Sequence, residues 1–255
     1  MAITIKNDSE IARMREAGHV VAMCHARVEP AIVPGVIVTE LDALVRDTIA
    51  GLGATSNFYG HQGFRGYICA SVNDQIVHGI PGKRRLRDGD IISVDIGAIV
   101  DGFHGDSAWT YAVGDVADEV RQLLIDTEAA LYEGVAAARA GNRLGAIGHA
   151  VEAYAEPRGY GIVRGYGGHG IGRQMWEEPH IPNVGDPRHG LRLRRGMTLA
   201  IEPMLNLGGE DTRIMPDKWT VVTADGSWSA HFEHTVVVTD AEPLILTERL
   251  AAMVK

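Results

Sequence analysis

The stretch IISVDIGAIVDGFHGDSAWTY, residues 91–111, decides how the chain is read. Two alternating apolar runs flank Asp101-Gly102, the dipeptide best suited to a two-residue type I′ hairpin loop, in which both positions take positive φ. Such a loop pairs Val100 with Phe103, and the register then sets Asp106 opposite Gly97. Side chains alternate along a strand, so Gly97 shares a face with Asp95. The two aspartates become diagonal neighbours, with Cα atoms roughly 7–8 Å apart. Two solvated acids on an exposed strand would be the bland explanation. Ile91, Ile92, Val94 and Ile96 leave neither face plainly solvated. Both acids are therefore expected inside, facing positive charge, with Gly97 leaving room for it.

Two further acids stand in apolar strands, Glu202 in MTLAIEPML and Glu233 in SAHFEHTVVVT. A lone carboxylate buried in a strand costs several kcal/mol, so it needs a partner or an ion. Basic strand residues are too few to pair all four, which points to metal. His169, in RGYGGHGIG, adds a nitrogen on a glycine-flanked segment that permits close backbone approach. Asp95, Asp106, His169, Glu202 and Glu233 thus make a mostly oxygen site suited to divalent Co, Mn, Fe or Zn. Carboxylates can bridge, so these residues suffice for two ions roughly 3.5–4 Å apart.

The same residues sit in a weak internal repeat. GVIVTELDALVRDTIAGLG, from Gly35 to Gly53, answers GNRLGAIGHAVEAYAEPRG, from Gly141 to Gly159. HGIP at His78 answers HGIG at His169, and LRDGDIISVDIG from Leu86 answers LRRGMTLAIEPM from Leu193, placing Asp95 on Glu202. Each half reads as two helices followed by strands, an α+β order. In the first half, Ile11, Met14, Ala17, Val21 and Val28 form a helical stripe after the cap candidates Asp8 and Ser9. Thr39 with Asp42 reads as a capping box before Leu41, Val45 and Leu52, with Gly53 closing that helix. In the second half, helices are expected over 116–140 and 144–155. Strands are expected over 67–72, 91–100, 103–113, 197–203, 220–223 and 231–239. With no linker between the halves, residues 1–255 read as one catalytic unit, halves about 1–114 and 115–255, with a site at their junction.

Composition narrows the function classes. The 255 residues are 45% hydrophobic and 22% charged, which excludes a disordered chain and a coiled coil. A net charge of -9 leaves no basic stripe, so direct nucleic-acid reading is not expected. Two cysteines are too few for a disulfide framework, and no long apolar run marks a leader or a membrane span. A cytoplasmic protein is expected. Acidic helix positions such as Asp118 and Glu119 read as solvated. On pattern alone Phe64 and Trp219 would be core residues.

VHGIP, DIISVDIGAIVDGFHGDSAWTY, GHGIGR, LAIEPM and FEHTVVVT resemble the motifs of type I methionine aminopeptidases, and IARMREAG and EPAIVPG extend the resemblance over nearly the whole chain. It implies the pita-bread fold, a pseudo-twofold α+β architecture around a dinuclear metal site. Asp95, Asp106 and Glu233 would hold one ion, and Asp106, His169, Glu202 and Glu233 the other. The implied reaction is removal of the initiator methionine from nascent chains when the second residue is small. Metal ions would lower the pKa of a shared water and polarise the peptide carbonyl. Glu202 would shuttle the proton, and His78 would donate to the developing oxyanion or the leaving nitrogen. Phe58, His61, Phe64, Cys69, Met175 and Trp219 match the methionine pocket. The partner implied is the N-terminal methionine of a nascent polypeptide, at the ribosome, met by a monomer with no membrane attachment.

One departure stands out. The family usually carries a second catalytic histidine seven residues after the ligand histidine, and GHGIGRQMWEEP puts Trp176 there. Two rival readings share the fold. An Xaa-Pro-directed aminopeptidase or prolidase would carry a further N-terminal domain, for which this length leaves no room. A catalytically silent binding module would tend to lose ligands, and here all five candidates are present.

Overall fold

A computed structural model describes residues 3–250; the ends of the expected 1–255 unit, residues 1–2 and 251–255, lie outside the described residues. Helix α1 spans Asp8–Val28 and buries Met14, Ala17 and Val21 completely. Its cap is Asn7, not Asp8 or Ser9. The Asn7 side chain accepts from Glu10 N at 3.1 Å and the Glu10 carboxylate accepts from Asn7 N at 3.1 Å. A glutamate can close such a box only onto the residue three before it, and that residue is Asn7. Helix α2, Val38–Gly51, likewise departs from the expected Thr39/Asp42 box. Glu40 takes the Ile37 N–H at 2.8 Å, while Asp42 Oδ1 accepts from Tyr67 N at 2.6 Å and Ile68 N at 3.2 Å. Those two amides are thereby unavailable to a ladder, which is why the strand expected from Tyr67 begins at Cys69.

The first half continues with β1 (Thr55–Ser56), β2 (Cys69–Val72), β3 (Gln75–Val77), β4 (Ile91–Val100) and β5 (Phe103–Ala112). The hairpin forms in the expected register, Val100 with Phe103 and Gly97 with Asp106, and Asp101 and Gly102 both have positive φ. Strand β4 is the centre of this sheet, with β5 on one side and β1 and β2 on the other. After it come α3 (Asp118–Ala137) and α4 (Gly145–Ala155). Asp118 and Glu119 are exposed in the first turn of α3, where carboxylates face the positive end of the helix dipole. The strands that follow are β6 (Gly161–Ile162), β7 (Gly168–Gly170), β8 (Glu177–Ile181), β9 (Thr198–Ile201), β10 (Met204–Asn206), β11 (Thr212–Ile214), β12 (Val221–Thr223), β13 (Ser229–His231), β14 (His234–Val237) and β15 (Leu244–Ile245). Here β9 is central, between β14 and β7, with β15 and β8 at the edges.

Each sheet is covered by its own helix pair. Val21, Leu41 and Val45 pack with Ile92 and Val94, whereas Leu123, Leu131 and Val151 pack with Leu199 and Ile201. Trp109 on β5 touches both cores. Hydroxyl groups join the halves there. Thr235 Oγ1 donates to Asp106 O at 2.8 Å, Ser107 Oγ to Glu233 O at 2.7 Å and Thr110 Oγ1 to His231 O at 2.8 Å.

The strand expected over 197–203 stops at Ile201, with β10 starting beyond it at Met204, and the one expected over 231–239 is interrupted between His231 and His234. Pro203 has no N–H to give the ladder, and the chain passes there from β9 to β10. Opposite, β13 pairs with β10 and β14 with β9, and Glu233 N turns away to Ala108 O at 2.9 Å. The pairs Ile201–His234 and Met204–His231 keep one register across this break, which sets Glu202 opposite Glu233.

Candidate metal centre

Asp95 and Asp106 come from adjacent strands of the first sheet, His169 from β7, and Glu202 and Glu233 from the two breaks just described. All five line one hollow of about 520 Å³, mouth included, together with His78, Phe58, His61, Phe64, Cys69, Met175, Trp176 and Trp219. Every site residue expected from the sequence is therefore brought to one place. Gly97 does not leave open room beside the acids. A Cβ there would meet Asn57 Nδ2 at 2.5 Å, so the space over this glycine holds the Asn57 side chain.

Ligand atoms of Asp106, His169 and Glu233 lie within 4.8 Å of one another, all three residues buried. His169 Nδ1 meets Gly170 O at 2.9 Å, which places the proton on Nδ1 and leaves the Nε2 lone pair free. Its flanking glycines are required: a Cβ on Gly168 would strike Ala200 O at 2.1 Å, and one on Gly170 Glu178 O at 2.2 Å. Asp95 Oδ1, Asp106 Oδ1 and Glu233 Oε1 are buried without a hydrogen-bond partner. Among the described residues no lysine or arginine pairs with any of the four carboxylates; Glu202 faces only imidazoles, His169 Nε2 at 3.8 Å and His231 Nε2 at 3.6 Å. Burial first, and then neighbouring acids, push Asp106 and Glu233 well above the ordinary carboxylate range. Burial lifts Asp95 and Glu202 to about 7. A divalent cation reverses that pressure, and this set of hard oxygens with one imidazole fits such ions.

The walls are chemically different. Phe58, Phe64, Cys69 and Met175 form a buried apolar cluster against Trp219, with Phe64 edge-on to Trp219 at 5.1 Å. Phe64 and Trp219 thus belong to a buried cluster, as expected, and line the hollow as well, a double placement that hydropathy alone does not distinguish. Cys69 lies across the ladder from Asp95, and burial pushes its thiol well up, so it stays protonated. His78 adopts φ 59, sparsely populated outside glycine, and Gly79 beside it packs so tightly that a Cβ would strike Ala70 O at 2.2 Å. Burial pushes the His78 imidazole down to about 4, and Tyr166 packs edge-on against it at 6.0 Å.

Trp176 stands at the mouth, 42% exposed, its ring 4.6 Å from His61 and 6.2 Å from His169. A second groove shares His78, His169, Trp176 and Glu202 with the hollow and continues past Tyr166, Glu178 and the exposed His180. One residue escaped the sequence reading altogether. His231 is 2% exposed, with Nε2 partnerless, and burial pushes it down to about 4. Its signal was the period-two offset from Glu233 within the strand expected over 231–239, which would set both on one face.

Residues 12–240 match the metallopeptidase family M24. Methionine aminopeptidase 1 of Bacillus subtilis is 49% identical over 245 residues, 96% of this chain and 99% of that protein. The solved methionine aminopeptidase of Thermotoga maritima superposes with a TM-score of 0.95 at 41% identity, covering 97% of this chain and 100% of its own. A prolidase from Pyrococcus furiosus shares the fold at a TM-score of 0.77 with 20% identity, and the match covers 66% of that longer chain.

Proposed function

The chain belongs to metallopeptidase family M24, and on that footing we propose that it is a methionyl aminopeptidase, a hydrolase of the pita-bread fold that removes an initiator methionine followed by a small residue. One observation carries the reading: partnerless buried carboxylates adjoin an apolar wall suited to an unbranched thioether side chain. We take the 255 residues as one catalytic unit whose two halves meet at this hollow.

Asp95, Asp106 and Glu233 are assigned to one divalent ion, and Asp106, His169, Glu202 and Glu233 to a second, drawn from Co, Mn, Fe or Zn. Bound there, such ions supply Lewis acidity at the peptide carbonyl and lower the pKa of a water. The chain's own residues do the rest. Phe58, Phe64, Met175 and Trp219 hold the methionine side chain, with Cys69 on the β2 side. Glu202 takes a proton from the attacking water and returns it to the leaving nitrogen. His78, kept neutral by burial, donates one N–H to the developing oxyanion. The groove past Tyr166 and His180 takes the rest of the polypeptide, with Trp176 and His61 at its entrance.

The substrate is the N-terminus of a nascent chain met at the ribosome in the cytoplasm, and the protein acts as a monomer. Among the described residues no helix is long and apolar enough to cross a membrane. Chelator-treated protein, before and after adding back Mn, is to be assayed on Met-Ala-Ser and on Xaa-Pro peptides. Ion-dependent release of methionine from Met-Ala-Ser alone is expected. Ion-independent turnover, or preference for the Xaa-Pro peptides, would overturn the assignment.

A further inference from the structure

His231, the last residue of β13, faces the Glu202 carboxylate. Its backbone is pinned on both faces: Met204 pairs with it in the ladder, and Thr110 Oγ1 both accepts its N–H at 2.9 Å and donates to its carbonyl at 2.8 Å. The side chain is buried, and Nε2 has no hydrogen-bond partner. A buried donor left in that state costs about 1–3 kcal/mol, so its placement calls for an acceptor. Among the described residues, the Glu202 carboxylate is the only one within 4.0 Å of this imidazole, with Oε2 at 3.6 Å. The other oxygen, Oε1, faces His169 Nε2 at 3.8 Å. The carboxylate is bracketed, one oxygen toward each imidazole.

We propose that His231 is a positioning residue for Glu202, its Nε2–H closing onto Oε2 and so presenting Oε1 to the ion that His169 shares. The gap exceeds an ordinary N–H···O distance by about 0.6 Å, within reach of a small side-chain rotation. Held this way, Glu202 meets the ion through one oxygen and does not swing to chelate it with both. The inference rests on the divalent-ion assignment above and adds to it a residue that orients a ligand rather than serving as one.

The test is calorimetric titration of Mn into chelator-stripped wild type, His231→Gln and His231→Leu, with thermal melts to show that each apo protein is folded. Partners that orient metal ligands are typically worth about 10–100-fold in affinity. His231→Leu is expected to bind Mn at least about tenfold more weakly than wild type, and His231→Gln, which keeps a donor, within about threefold. His231→Ala replaces the leucine variant if that side chain does not pack. Undiminished affinity in the leucine or alanine variant overturns the positioning role alone. Equal loss in the glutamine variant overturns it too, because a donor then fails to substitute. Wild type that binds no Mn overturns this role together with the ion assignment beneath it.

Discussion

Replacing Trp176 by histidine tests the functional reading at a position where the chain departs from the pattern it resembles. Indole offers one N–H, no acceptor and no titration near neutral pH, whereas imidazole donates and can carry charge. Trp176 is 42% exposed, its ring tilted against those of His61 at 4.6 Å and His169 at 6.2 Å, so its loss removes two aromatic contacts, each about 0.5–1.5 kcal/mol, and opens no core cavity. A fully buried oxyanion donor is worth about 2.7–4 kcal/mol. Solvent at the mouth screens a donor placed here, which cuts the gain to about 1.4 kcal/mol, a factor of about ten in rate. Steady-state kinetics of Trp176→His on Met-Ala-Ser should show kcat/KM about tenfold above wild type, mainly through kcat. Trp176→Phe serves as the control, since it keeps the ring and loses the N–H. A histidine variant no faster than wild type refutes the reasoning. So does a phenylalanine variant equally fast, because the gain would then come from a wider mouth.

Asp106→Asn removes a charge assigned to both ions. Outer-sphere partners alone cost about 10–100-fold, so kcat/KM should fall by at least about a hundredfold and bound metal, read by elemental analysis, should drop; an active, metal-replete variant contradicts the assignment. Lys6 and Glu177 pair at 2.5 Å with side chains 5% and 11% exposed, and Glu177 also receives Arg173 N and Gln174 N in the segment that presents Met175 and Trp176. Lys6→Met should cost about 3 kcal/mol in chemical denaturation and Lys6→Met/Glu177→Met much less; a single variant within about 1 kcal/mol of wild type contradicts this. His25, enclosed by Tyr111 Oη at 2.9 Å and Ser107 O at 3.1 Å, is pushed by burial from 6.5 down to about 3. The unfolded chain binds the proton first, so this stabilising contribution is complete above pH 6.5 and lost as pH falls from there toward 3. The stability gap between wild type and His25→Gln should narrow by about 2 kcal/mol between pH 7 and pH 5, and a constant gap contradicts the burial account.

The hairpin was legible because turn chemistry and alternation agree there: Asp-Gly sets the loop, and the loop sets the register of every residue out to Ile91 and Ala112. The metal centre was legible for a related reason, since unpaired acids inside apolar strands have few physical explanations. What escaped depends on contacts distant in sequence. Asp42 looks like a helix cap until Tyr67 and Ile68 arrive to claim it. Lys6 and Glu177 find each other across most of the chain. Gly97 reads as open space until Asn57 fills it. His231 carried a readable signal, its period-two offset from Glu233, but a histidine in a buried strand is more often a satisfied core residue. The breaks at Glu202 and Glu233 were announced by Pro203 alone.

The most direct test of the central claim, that these residues hold two divalent ions at the junction of the halves, is anomalous diffraction from crystals grown with Mn. Two anomalous peaks are predicted, roughly 3.5–4 Å apart, one among Asp95, Asp106 and Glu233 and one among Asp106, His169, Glu202 and Glu233. Saturating Mn with no peak in this hollow, or with peaks held by other side chains, would contradict the account.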